Sequence, residues 1–459
     1  MPLVALLTLV VAAFLLGGGA RGDITSLVIL RPLAVACLGY GLYGLTREKW
    51  RTHRGPLVMT GLIALLIAIH LVPLPPPLWN SLPGRGIVIH GDTIAGLEGV
   101  WRPISLVPYR GWNSLWAMTV PAAALVLLAR TGEEERWLVL RVIVALALAS
   151  ALLGLLQTVS GNNPLLYPYR VTNGNSPVGL LANKNHQAAM LCAVLPLLAL
   201  VAVRAEGAAR TTVRFVCAGM AALVVLVLLA TGSRGGLAFL VVAAIGTAAI
   251  YWRAGLLGAP GPGKRRWLVP ALGVGGLVAI IIVSLIFARA GALERVAGAD
   301  STEESRLAVW QVTAGVLPDY LPLGSGIGSF VEVFAMNEPA EMLSLNYWNH
   351  AHNDVLEWLL EGGIPAAILI VAAVVLWFRA TRAVWRRLPF GEPAVMLGAT
   401  GSLIAFILGL WSLVDYPLRV PSLAVLFVIA AVWLNRVQTL GGDRQTNRPS
   451  SSRAIVAGD

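Results

Sequence analysis

The stretch NHAHNDVLEWLLEGG, residues 349–363, gathers two histidines, two asparagines, an aspartate and two glutamates. It runs straight into IPAAILIVAAVVLWF, a segment apolar enough to lie in a bilayer. Imidazole titrates nearest neutrality of all side chains, so a histidine at such an edge can take a proton from a hydroxyl. The plainer role is an interfacial hydrogen bond, but nearby cations keep an imidazole neutral and favour the base. His350 and His352 lie two positions apart, about 200° around a helix, so a shared metal would require extended backbone here. No further cluster of His, Cys and Asp offers zinc-like spacing, and neither a metal nor another cofactor is expected. Asp354, Glu357 and Glu361 recur at helical spacing, an acidic stripe whose first members suit a helix N-terminus.

Cations that match this chemistry recur elsewhere: Arg85, Arg102, Arg110, Arg170, Lys184, Arg234 in TGSRGG and Arg306 in EESRLAVW. Guanidinium meets phosphate oxygens bidentately and keeps its charge at any working pH, which suits a diphosphate at a membrane surface. The structural alternative for each is a snorkelling anchor. PLGSGIGSF, residues 322–330, is glycine-rich, yet no strand precedes it and no Lys-Ser/Thr follows, so it reads as turns joining two helices.

The elements that must carry these groups follow from composition. Of 459 residues, 57% are hydrophobic and 12% charged, about half the charged fraction of a soluble domain. The chain is therefore an integral membrane protein, and its net charge of +11 needs no nucleic acid if basic residues collect in cytoplasmic connections. Cys37, Cys192 and Cys217 each sit inside an apolar run, which argues against a disulfide framework.

Runs of about 20 apolar residues begin at Pro2, Ile24, Pro56, Asn113, Trp137, Gln187, Phe215, Gly235, Trp267, Val355, Pro393 and Pro421, making about twelve spans. Lys and Arg concentrate in alternate connections, which places both termini in the cytoplasm and the cations listed above on the outer side. The first run ends in small residues that resemble a cleavage site but lacks a basic n-region, and loop parity allows either outcome. Residues 1–440 form one polytopic domain, and 441–459 a disordered cytoplasmic tail. Residues 74–112, rich in Pro, Gly and Trp, predict an interfacial lid. The outer connection 288–352, between spans 9 and 10, predicts helices of its own. Ser301 and Glu304 form a capping box there, and Leu307, Trp310, Ala314 and Leu317 share one face, expected to lie on the bilayer or against the bundle.

GLLANKNHQAAML at 179–191, TGSRGG, ESRLAVW and the run from PLGSGIGSF to HAHNDVLEWLLEGG together resemble the O-antigen ligase and O-antigen polymerase superfamily. The resemblance covers about residues 170–380, and Arg85, Arg102 and Arg110 inherit nothing from it. It implies an all-α, GT-C-like membrane transferase of the bacterial inner membrane, working at the periplasmic face without metal or nucleotide sugar. Such an enzyme moves a glycan from an undecaprenyl diphosphate carrier to a lipid or glycan acceptor. His352, Asn353 and Gly363 match the ligase interval of a His-Asn pair ahead of a Gly, favouring His352 over His350. The expected roles are His352 as base toward the acceptor hydroxyl, Arg234 and Arg306 as diphosphate clamps, and Lys184, Asn185 and Asn353 as further contacts to substrate. Ligase, with lipid A core as acceptor, is the first expectation and polymerase the second. A transporter of the lipid-linked glycan would instead carry polar groups deep in its spans and inverted repeats, and neither is evident.

Overall fold

Several helices begin where the sequence supplies a start signal. Proline occupies the first turn of Pro2–Leu16, Pro108–Ala117 and Pro393–Trp411, where its missing N–H costs nothing. Glu133–Val159 opens on three glutamates, and Glu135 accepts a hydrogen bond from the Gly132 amide at 2.6 Å, placing negative charge at the positive end of the helix. Asn183 caps Lys184–Arg204 by accepting from the Asn185 amide at 2.7 Å, and Asn353 caps Asp354–Trp385 by accepting from the Leu356 amide at 3.0 Å.

The computed structural model describes residues 1–161, 163–253, 302–343, 347–387 and 392–446. The run expected from Trp267 lies outside them, as does Ser301 of the expected capping box. The other eleven apolar runs are helices. Six are long and apolar enough to cross a membrane: Pro108–Ala129, Glu133–Val159, Lys184–Arg204, Arg210–Ala230, Asp354–Trp385 and Pro393–Trp411. Five are shorter: Pro2–Leu16, Leu27–Tyr43, Arg54–Ile69, Arg234–Ile250 and Pro421–Asn435. The helix from Pro421 continues to Thr446, and so carries the first residues of the expected tail. Among the described residues the only strands are Pro73–Leu74 and Arg102–Pro103, an antiparallel pair with Pro73 opposite Pro103. The protein is thus an all-α membrane protein.

Lys184–Arg204 stands at the centre. Its apolar window is 89% buried, against 22% for Arg210–Ala230, and it packs on Glu133–Val159, Arg210–Ala230, Arg234–Arg253 and Pro393–Trp411. An apolar surface on all sides suits that position. The polar KNHQ sequence at its first turn is thereby carried into the middle of one end of the bundle.

The glycine loop 322–329 supports the same end. It joins the short helix Leu317–Tyr320 to Phe330–Asn337, as the turn reading expected. Asp354–Trp385 breaks at Gly363 (φ 56°, ψ −144°), and the loop docks into the break. Ser325 and Gly326 donate to the Leu360 and Glu361 carbonyls at 3.0 and 2.8 Å, and Ile364 donates to the Pro322 carbonyl at 2.8 Å. A Cβ on Gly363 would strike the Pro322 carbonyl, in a conformation that L-residues resist. Gly363→Ala should therefore cost at least about 1–3 kcal/mol, read as a lower unfolding temperature in detergent. Gly315→Ala, in a helix with open space beside it, should leave that temperature unchanged or raised.

The helix Thr302–Val316 docks by a face that its apolar residues do not mark, and of the two placements expected for those residues the exposed Leu307 fits the bilayer one. Val309 and Thr313 are buried, the Trp310 indole donates to the Ala351 carbonyl at 2.8 Å, and Leu307 is 56% exposed. Arg306, Val309, Trp310 and Thr313 are the i, i+3, i+4, i+7 set, so the docked face is the one that brings the cation inward.

Candidate functional site

Two short connections meet at the end of the bundle that holds KNHQ. One is Trp348–Asn353, leading into Asp354–Trp385. The other is the turn from Ser412 to Val420, between Pro393–Trp411 and Pro421–Thr446. His352 adopts φ 52°, an uncommon conformation for a non-glycine residue and one that clusters at functional positions.

Asp415 is the centre of the first group of contacts. His352 Nδ1 donates to its Oδ1 at 3.1 Å, the Tyr416 amide donates to the same oxygen at 3.0 Å, and Asn185 Nδ2 donates to Oδ2 at 3.0 Å. Arg306 lies 4.0 Å from Oδ2 and donates to the Val414 carbonyl at 3.4 Å. Behind Asn185, its Oδ1 accepts from the Ser233 hydroxyl at 2.8 Å. Burial alone would raise the Asp415 carboxyl, but the His352 hydrogen bond and the permanent charge of Arg306 oppose it, and the carboxyl is held well below the usual carboxylate range. A lowered value means that the ionised interactions persist at neutral pH and are lost only as pH falls into strong acid. The carboxylate therefore accepts, so that in the neutral imidazole the His352 proton sits on Nδ1 and the lone pair on Nε2.

A second group holds the backbone ahead of His352. Glu357, fully buried, accepts from His350 Nδ1 at 2.9 Å and from the Ala351 amide at 2.8 Å. Arg419 reaches three carboxylates, at 2.8 Å from Asp354, 3.1 Å from Glu357 and 3.9 Å from Glu361. Glu361 in turn accepts from the Phe330 amide at 3.0 Å, tying the glycine loop to the same network. Burial pulls His350 below its ordinary value, with Glu357 opposing. Burial likewise raises the Tyr416 phenol, helped by Asp415. The Tyr416 ring sits among three imidazoles, with centroids 4.9 Å from His186, 4.3 Å from His350 and 4.9 Å from His352. His186 is buried, its Nε2 is 3.8 Å from Asp415 Oδ1, and neither ring nitrogen has a hydrogen-bond partner among the described residues.

Of the residues singled out in the sequence, His352, Arg306 and Asn185 converge on one carboxylate. Arg234 opens its helix immediately after Ser233, the partner of Asn185, and is exposed. Lys184 is half-buried, and its amide donates to Asn173 at 3.0 Å. Asn353 spends its side-chain oxygen on the helix cap. The cations before residue 170 are occupied elsewhere. Arg102 pairs with Asp92, Arg110 pairs with Glu332 at 2.9 Å, and Arg85 is buried against backbone carbonyls. The two histidines of the HxH pair face different carboxylates, Glu357 and Asp415.

Asp415, Tyr416 and Arg419 escaped the sequence reading, as did His186. A signal for two of them existed, because SLVDYPLR is a short connection whose acid and cation both sit against long apolar runs. Compared with known proteins, residues 218–371 match a family model described as O-antigen ligase, and no curated protein matches the chain. The matched stretch contains Arg234, Arg306 and His352, while Asn185, His186, Asp415 and Arg419 lie outside it.

Proposed function

Taking membership of the O-antigen ligase and polymerase superfamily as the premise, we propose that the protein transfers a glycan from a polyprenyl diphosphate carrier to an acceptor hydroxyl, most simply as an O-antigen ligase with lipid A core as acceptor. The observation that carries this reading is the His352–Asp415 contact at 3.1 Å with Arg306 beside the same carboxylate. It joins a base, its orienting anion and a phosphate-seeking cation in one place.

In this reading His352 Nε2 takes the acceptor proton as the hydroxyl oxygen attacks the anomeric carbon. The bond from that carbon to the diphosphate oxygen breaks, and the carrier diphosphate leaves with the electron pair. Asp415 holds the imidazole in the required tautomer and offsets the imidazolium charge. Arg306 and Arg234 meet the charge that gathers on the leaving diphosphate, and such preorganised donors act most strongly where charge develops. Asn185 and Lys184 line the same end of the bundle as headgroup contacts, and Asn353 retains its amide N–H groups for substrate. Diphosphate is a good leaving group, so the reading needs no metal.

Deleting the gene and examining surface glycan and carrier-linked glycan tests the assignment. A ligase leaves full-length chains on the carrier when lost, and a polymerase leaves single units transferred to the acceptor. Wild-type glycan in the deletion strain would remove both readings. The same reading places His352 at the periplasmic face of the inner membrane with both termini in the cytoplasm. A reporter fused after Arg266 should then read cytoplasmic and one fused within 318–343 periplasmic, and the reverse at both points would put the site in the wrong compartment.

A further inference from the structure

The end of the bundle opposite His352 carries a feature that this chemistry leaves unused. Lys184–Arg204 starts at the site and spans about 30 Å, so Arg204 marks the far end, as do Arg210 and Glu133 on the neighbouring helices. There Glu133–Val159, Lys184–Arg204 and Arg210–Ala230 bound a cavity of about 300 Å³. Its walls are apolar, formed among others by Val144, Leu148, Leu198, Val216 and Met220, with Arg141 and Thr212 as the polar residues of the lining.

Arg141 is exposed and lies two helical turns inside a membrane-crossing helix. Its Nε donates to the Trp137 carbonyl of its own helix at 3.3 Å, and no carboxylate pairs with it among the described residues. An arginine at such depth is costly without an anion or a route to the headgroups. Further cations stand nearby. The Arg204 guanidinium covers the Trp137 ring at 4.4 Å, and Arg214 donates to the Ala202 carbonyl at 3.3 Å. The cavity extends from Arg141 to Leu148 on one helix and from Thr212 to Met220 on another, about 10–12 Å of helical rise. One leaflet of the hydrocarbon core is about 15 Å deep, so the cavity accommodates one chain entering from that side with its headgroup at the cationic mouth.

We propose that this groove is a binding site for an anionic glycerophospholipid of the leaflet at that end, with one acyl chain between the three helices and the phosphate on Arg141. The site is separate from the transfer centre, and its ligand is a lipid with a fixed negative headgroup. A polyprenyl diphosphate bound at His352 carries its headgroup at the opposite end of the bundle, so the lipid in this groove is a second molecule and not the donor engaged in transfer.

Native mass spectrometry of the full-length protein released from detergent, titrated with phosphatidylglycerol or with phosphatidylcholine of the same chains, tests this. One copy of phosphatidylglycerol should be held at least about tenfold more tightly than phosphatidylcholine, whose choline cation offsets its phosphate beside the arginines. Arg141→Gln should erase that preference and Arg141→Lys should keep most of it, while Val216→Trp, which fills the groove, should weaken both lipids. If Arg141→Gln fails to fold, the Lys and Trp variants still decide. Equal affinity for the two lipids in the parent, or affinities for both lipids untouched by Val216→Trp, would reduce the groove to ordinary lipid contact. Displacement of phosphatidylglycerol by undecaprenyl diphosphate would assign the groove to the donor and overturn the proposal.

Discussion

His352→Ala is expected to lower glycan transfer by about 10² to 10⁴, the contribution of a positioned general base. Purified protein, carrier-linked glycan and acceptor suffice for the measurement. Asp415→Asn should follow it, losing about 10² or more, because the amide offers its N–H to the imidazole as readily as its oxygen and no longer specifies the tautomer. The two losses should not add, since both act through one nitrogen, and the double variant should resemble His352→Ala alone. His350 is the control. It is two residues away but faces Glu357 at 2.9 Å rather than Asp415, so His350→Ala should cost far less. If His352→Ala kept parental activity, or His350→Ala lost as much, the base would have to be sought elsewhere. Across the neutral range any pH dependence must come from groups other than Asp415, whose lowered value keeps it ionised until strong acid.

Arg306→Ala should cost about 10² to 10³ in transfer rate, the usual effect of deleting one donor that meets developing charge. Arg306→Lys should recover only part of it, because the ammonium keeps the charge but loses the planar fork. Arg306 is 27% exposed and already directed at Asp415, 4.0 Å away, so lysine would also change the register of that carboxylate. Arg234 is the more exposed of the two and opens a helix, where its backbone N–H groups add to the attraction for an anion. Arg234→Ala is expected to raise the KM for the donor more than it lowers kcat. Immunoblotting of membrane fractions separates these effects from failed insertion. Two alanine variants that insert normally and transfer at the parental rate would make both arginines anchors only.

How much of this was legible depends on sequence separation. His352 was visible because its surroundings are local: a polar stretch abutting an apolar run, followed at helical spacing by three acids. Helix starts such as Pro393 were visible for the same reason, since a proline acts within the first turn, whereas Asn353, which caps its helix, was expected to contact substrate. Asp415 was not, because it meets His352 across 63 residues and Asn185 across 230, and nothing in the letters SLVDYPLR states which chain segment will lie opposite. The acidic stripe was legible as a stripe, whereas its partner Arg419 was not, although the charge rule that singled out Arg234 applies to it equally. The docking face of Thr302–Val316 stayed open between bilayer and bundle because apolar residues at a membrane edge suit either, and in the fold Leu307 stays exposed while Arg306 turns inward.

Arg85 carries an implication for how the protein could be divided. Its guanidinium is 2% exposed, lies against Trp79 and Tyr320, and donates to the Ile104 carbonyl at 2.8 Å and the Gly324 carbonyl at 3.3 Å. Beside it, His70 is pushed by burial down to about 4, so its neutral Nδ1 accepts the Ile327 amide at 3.3 Å. The Leu106 amide donates to Ser325, and a Cβ on Gly328 would meet the backbone of Arg110. Residues 70–111 thus grip the same glycine loop that the break at Gly363 receives from the other side. The recognisable stretch 218–371 is therefore no portable cassette. Grafted into a relative without its own 70–111 segment, it would arrive with one wall of its glycine loop missing, and a functional chimera would have to exchange both pieces together.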